Sequence, residues 1–201
     1  MPQYRERLRF QSCKLSSQVP KRPLPVASGF QLMEQNASGL ARAFAGTELS
    51  GTGARPNGSG VVVSGPSNVL NGNVVSGNTG VGVKVVGFGA NGNILAGNVV
   101  GLTLGGGGAL GNSGAGIELR EGPNFVFAGN VIGANGGDGL WINAPSNVIR
   151  ENFIGTNTGG AGGLGNVGAG IAIVSGDGNV IGGTSAGIGN VVVNNGGAGI
   201  Q

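Results

Sequence analysis

The sequence predicts an all-β solenoid, a stack of coils with three short strands per coil, and three observations predict it. An Asn-led apolar triplet recurs as Asn68-Val-Leu, Asn93-Ile-Leu, Asn124-Phe-Val, Asn147-Val-Ile and Asn179-Val-Ile. A second series follows each of these at a short distance: Asn73-Val-Val, Asn98-Val-Val, Asn130-Val-Ile, Asn152-Phe-Ile and Asn190-Val-Val. A Gly-led strand closes the unit at Gly82-Val, Gly116-Ile, Gly139-Leu, Gly170-Ile and Gly199-Ile. Three strands in a fixed order, repeated several times, are the signature of a solenoid in which each coil packs only on its neighbours.

Taken in chain order, residues 1–27 read as a basic, irregular arm carrying Pro20, Pro23 and Pro25. Residues 28–50 read as a short amphipathic helix and linker. Phe30, Met33, Ala37, Leu40 and Phe44 fall at helical spacing, and Ser28 stands where a cap belongs. Such a helix would cover the end of the first coil. The repeats occupy residues 51–201. Their Gly markers are 34, 23, 31 and 29 residues apart (82 to 116, 116 to 139, 139 to 170, 170 to 199), so the shortest step gives the minimal coil and the others carry insertions. Two insertions, 101–112 and 155–166, share their length and a Leu-Gly-Asn ending, which predicts the same fold on the same side. A third, 182–190, falls one turn earlier in its coil.

Each strand has too few apolar residues to stand alone, so parallel pairing with the coils above and below must hold it. The ten asparagines of the two series are assigned to corners. There they can adopt a left-handed backbone and hydrogen-bond along the stack rather than bind a ligand. The 47 glycines among 201 residues lie between apolar triplets at repeating offsets and read as turns.

The pattern Asn-Val-Ile-x-Gly-Asn-Val-Ile-Gly, then a Gly-rich insertion ending Leu-Gly-Asn, then Gly-x-Gly-Ile-x-Ile, resembles the right-handed parallel β-helix repeat. Such repeats occur in the pectate-lyase-like superfamily and in bacterial surface proteins. The resemblance covers about residues 57–201. It implies the fold and an extracellular or cell-surface setting, although the basic start leads into Pro-rich sequence and shows no signal peptide. It does not imply an activity, because many functions share the scaffold.

Residues alternate inward and outward along a strand. The Gly-led strands therefore build one outward column of Val62, Lys84, Glu118, Trp141, Ala172 and Gln201, and a second of Ser64, Val86, Arg120, Asn143 and Val174. Lys84, Glu118, Arg120, Trp141 and Asn143 come together as a candidate glycan-binding face, since an aromatic ring flanked by polar groups suits a sugar. In polysaccharide-active relatives the corresponding sheet floors the substrate groove. The competing reading is a solvated ladder with ion pairs Lys84–Glu118 and Arg120–Glu121. Lys84, Glu118 and Arg120 are also the residues a catalytic reading has to use. That reading is disfavoured, because hydrolysis of a glycosidic bond needs two carboxylates and calcium-assisted elimination needs an acidic cluster.

Composition removes other chemistries. With no histidine and a single Cys13, the chain has no Ser-His-Asp triad, no His-ligated metal and no intramolecular disulfide, so no cofactor or metal is expected. Residues 1–60 carry eight cations against three anions (+5), and residues 61–201 carry three against five (−2). The repeat body thus lacks a basic stripe for nucleic acid, and no segment is apolar and long enough to span a bilayer. The repeats break off at Gly199-Ile-Gln201. Expected at that end is a second copy stacked on it, or further repeats of a longer protein; a truncated reading frame without a selected role of its own is a third possibility. The leading expectation is a non-enzymatic scaffold with polysaccharide contact, and the alternative is a polysaccharide lyase or glycoside hydrolase.

Overall fold

The computed structural model describes residues 30–32, 39–160 and 162–201. They form a right-handed parallel β-helix of three six-stranded sheets, every strand pairing in parallel with its counterpart one coil away. The first sheet holds Phe30–Leu32, Val61–Val63, Val83–Val85, Ile117–Leu119, Leu140–Asn143 and Ile171–Ser175. The second holds Gly39–Ala41, Val69–Asn71, Ile94–Ala96, Phe125–Phe127, Val148–Ile149 and Val180–Ile181. The third holds Phe44–Ala45, Val74–Val75, Val99–Val100, Val131–Ile132, Phe153–Ile154 and Val191–Val192.

The helix expected over 29–45 is not what the described part of that span forms. Phe30–Leu32, Gly39–Ala41 and Phe44–Ala45 are strands of a first coil, and residues 33–38 lie outside the described residues. The physical reason is pairing. Leu40 lies opposite Leu70, and Ala45 lies opposite Val75, so these residues serve as the first rungs of columns that run through the molecule. Ladder hydrogen bonds to a preformed neighbour outweigh a weak local helical preference in a segment that contains Gly39.

The core is a narrow column. Val61, Val63, Leu70, Val75, Val85, Leu95, Val100, Leu119, Val126, Ile132, Leu140, Ile142, Ile149 and Ile154 are fully buried. Each fills the space between three sheets, which is why two or three apolar residues per strand suffice.

Asparagine ladders close all three corners. In each, the backbone N–H, the side-chain amide or both donate to Oδ1 of the equivalent asparagine on the next coil, at 2.7–3.2 Å. The first runs Asn68, Asn93, Asn124, Asn147, Asn179, and the second Asn73, Asn98, Asn130, Asn152, Asn190. The third, absent from the two series visible as Asn-led triplets, runs Asn78, Asn112, Asn135, Asn166, Asn195. The ladder residues from Asn68 to Asn166 are at most 2% exposed, so every amide group satisfied here is one that burial would otherwise penalise. Asn68 Oδ1, at the N-terminal end of its ladder, has no hydrogen-bond partner among the described residues. The left-handed residue at these corners is often the one before the asparagine: Ser67, Ala134, Ser146 and Glu151 have φ of 56–60°.

The third ladder also explains the Gly marker. A Cβ on Gly60, Gly82, Gly116, Gly139 or Gly170 would lie 2.8–2.9 Å from a ladder Nδ2 and 2.5–2.8 Å from the carbonyl of the next marker glycine. These glycines are needed for close approach to the asparagine amide.

Register along the first sheet gives coil lengths of 31, 22, 34, 23 and 31 residues (Phe30 to Val61, Val83, Ile117, Leu140 and Ile171). Long and short coils alternate. The extra residues of the long coils leave the third sheet after Phe44–Ala45, Val99–Val100 and Phe153–Ile154. Two of the insertions are closed by antiparallel bridges, Thr47–Ala54 and Leu102–Ala109. Leu104 N–H donates to the Gly51 carbonyl at 2.9 Å, so loops two coils apart touch directly across the short coil. A packed chain segment is ~10 Å thick and two coils rise ~9.6 Å, so alternate coils leave room for one loop each. The loops bury Leu102 and Leu164 against Val131, with Val99, Ala134 and Phe153 alongside.

Candidate functional site

The outward face of the first sheet is set by strand alternation. Val83, Val85, Ile117, Leu119, Leu140 and Ile142 point into the core with at most 1% exposure, which turns Lys84, Glu118 and Trp141 outward. These lie side by side in register, between Val62 and Ala172.

Glu118 is the centre of the cluster. Its Oε2 accepts a hydrogen bond from Arg120 Nε at 2.9 Å and lies 3.6 Å from Lys84 Nζ. The Arg120 guanidinium sits 4.8 Å above the Trp141 ring, within cation–π range. One oxygen thus gathers two cations, and one of them is stacked on the aromatic. The ion pair expected between Arg120 and Glu121 is replaced by Arg120–Glu118. Residues two apart on a strand point the same way, and Glu121 lies beyond the strand end.

Lys84, Glu118, Arg120 and Trp141 are therefore brought together. Asn143 is exposed at the end of its strand, opposite Ser175. The register shifts after Ile142, so Val174 does not continue the second outward column and Ser175 takes its place. Ala172 faces outward yet is only 2% exposed, in register beside Trp141.

Chemically, the cluster can bind and not much more. Glu118 is the single carboxylate on the described outward columns of this sheet, and it is held by two cations. Asp138 is used elsewhere, since its Oδ1 accepts the Ala169 N–H at 2.7 Å. Arg120 has Nε engaged and its remaining N–H edge free to meet an acceptor, while stacking keeps the side chain in place.

Comparison with known proteins bears on the whole fold rather than on this face. A family model described as NosD, periplasmic copper-binding protein, matches residues 24–158, 135 of the 201 residues. The chain belongs to the NosD family. No curated protein and no solved structure gave a match.

Do the residues of this NosD-family chain fit copper? Copper sites in proteins are built from imidazole, thiolate and thioether ligands. The chain has no histidine, and its one cysteine and two methionines, Cys13, Met1 and Met33, lie outside the described residues. Among the described residues no group of three or more Cys, Asp or Glu side chains stands together. The residues present do not fit a copper centre, and no chemistry is routed through one. Among the described residues no helix is long and apolar enough to cross a membrane.

Two features of this NosD-family chain escaped the sequence reading. The third asparagine ladder is one; its signal was the Leu-Gly-Asn ending of the insertions, which places Asn112 and Asn166 at a corner. The other is the outward face of the second sheet, whose signal was the apolar residue directly after each first-series asparagine: Val69, Ile94, Phe125, Val148 and Val180.

Proposed function

We propose that this chain is a non-enzymatic scaffold of the bacterial periplasm or cell surface whose first-sheet face contacts a polysaccharide through Lys84, Glu118, Arg120, Trp141 and Asn143. The family description supports the compartment. The observation that carries the binding reading is the Glu118–Arg120–Trp141 arrangement, a cation fixed by a carboxylate at 2.9 Å and stacked 4.8 Å from an aromatic ring. A pre-ordered donor beside an aromatic edge suits the hydroxyl and carboxylate groups of a sugar chain and loses little side-chain entropy on binding.

A scaffold is favoured over an enzyme because the face offers one carboxylate, already paired with two cations, where glycoside hydrolysis uses two. The test is a tryptophan-fluorescence titration against acidic and neutral polysaccharides, since Trp141 is the sole tryptophan. A saturable shift that Arg120→Ala weakens and Trp141→Phe abolishes as a signal, with no new chain ends in the polysaccharide, supports binding without cleavage. New chain ends that disappear in Glu118→Gln would replace it with the enzyme reading, and no shift across the panel would remove the glycan contact.

A further inference from the structure

The second sheet carries an outward column that is apolar on five consecutive coils: Val69, Ile94, Phe125, Val148 and Val180, all in register. Beside it Phe127 packs edge-on against Phe125 with ring centroids 6.2 Å apart, and the Arg150 guanidinium lies 5.5 Å over the Phe127 ring. Arg150 is paired with Glu151 at 3.7 Å, so the charge at this margin is internally balanced.

The third sheet shows what such a column requires. Its outward residues Phe44, Val74, Val99, Val131, Phe153 and Val191 have the same chemistry. There the insertions of the long coils cover them, and Val74 and Val131 are 3% and 6% exposed. The second-sheet column belongs to neither hydrophobic cluster, and Val69 and Val180 are 37% and 49% exposed.

We propose that the outward face of the second sheet is a contact between two copies of this chain, packed face to face about a two-fold axis. Flat sheets stack ~10 Å apart with aligned strands, and a two-fold axis brings a patch onto itself. Self-pairing demands a patch that does not repel its own image. This one has an uncharged centre and a neutralised Arg150–Glu151 margin. The face is about 24 Å by 15 Å, on the order of 400 Å² per copy, below the ~800 Å² per partner of a standard stable interface. The pair is therefore weak and reversible, and forms when copies are concentrated. The contact is independent of the first-sheet face and leaves that face open.

Sedimentation velocity on the full chain, from micromolar to near-millimolar concentration, tests the proposal. The expected result is an average mass that rises from monomer toward dimer and no further. Val148→Lys should weaken association at least ~10-fold, as a charge buried in an apolar contact does, while its thermal unfolding stays close to that of the parent. In a Cys13→Ser background, Phe125→Cys at the middle of the column should be joined by a short bis-maleimide, whereas Val62→Cys on the first sheet should not. The cross-link keeps the test valid even if Val148→Lys folds poorly. A parent that stays monomeric at the highest concentration overturns the proposal. So does association that Val148→Lys leaves unchanged, growth beyond dimer (the mark of end-to-end stacking), or equal cross-linking from Val62→Cys.

Discussion

The second and third sheets have outward columns of nearly the same composition and opposite fates. The third sheet lies beneath loops that supply Leu102 and Leu164 as a second hydrophobic layer, while the second sheet lies bare among the described residues. The difference does not come from the strands, which are apolar on both faces in both sheets. It comes from where the insertions leave the coil. In a solenoid each corner is an independent place to add chain, so covering one sheet leaves the others unaffected. An outward valine is therefore core in one sheet and candidate interface in the other.

That comparison can be broken by experiment. The largest effect is expected at the corner that joins the two sheets. Asn130 accepts from Asn98, and its amide donates to the Leu95 and Phe127 carbonyls and to Asn152. Asn130→Ala leaves several buried groups unpaired and should cost about 3–5 kcal/mol in denaturant unfolding. Next comes the cover itself. Leu102 is fully buried over the third sheet, and Leu102→Ala should cost about 3 kcal/mol. If it proves as mild as an exposed-site change, the loops are ornaments and the contrast between the sheets fails.

A matched pair sharpens the same point. Phe153→Ala under the loops should cost about 2 kcal/mol, and Phe125→Ala on the bare sheet about 1 kcal/mol in dilute solution. The gap should narrow at high protein concentration, where self-association protects Phe125. Equal costs at all concentrations would mean that the bare face is as well packed as the covered one. The smallest effect is expected on the first sheet. Glu118→Gln removes an outward ion pair and should change stability by less than ~0.5 kcal/mol, yet it frees Arg120 and should alter Trp141 emission. A large loss of stability there would show that the cluster is structural.

The fold was legible because its determinants are local and repeated. Asn68, Asn73 and the Gly markers return in order, and alternation within each Gly-led strand suffices to place Lys84, Glu118 and Trp141 on one outward column. What was not legible was anything that depends on two coils at once. Glu118 rather than Glu121 meets Arg120 because of strand direction. Val174 leaves its column because the register slips after Ile142. Phe30, Leu40 and Phe44 satisfy a helical spacing, and only the neighbouring strands at Val61, Leu70 and Val74 make the described segments extended.

By itself, then, the sequence determined the stacked β architecture, the chain's coil period and the absence of histidine chemistry. Each of these is written in residue type and spacing along one coil. The tertiary structure alone decided which apolar columns are covered, that a third asparagine ladder lies against the marker glycines, and that long and short coils alternate. Those outcomes are settled by distances between coils, where a loop ~10 Å thick spans two turns of ~4.8 Å and a Cβ has no room beside an amide.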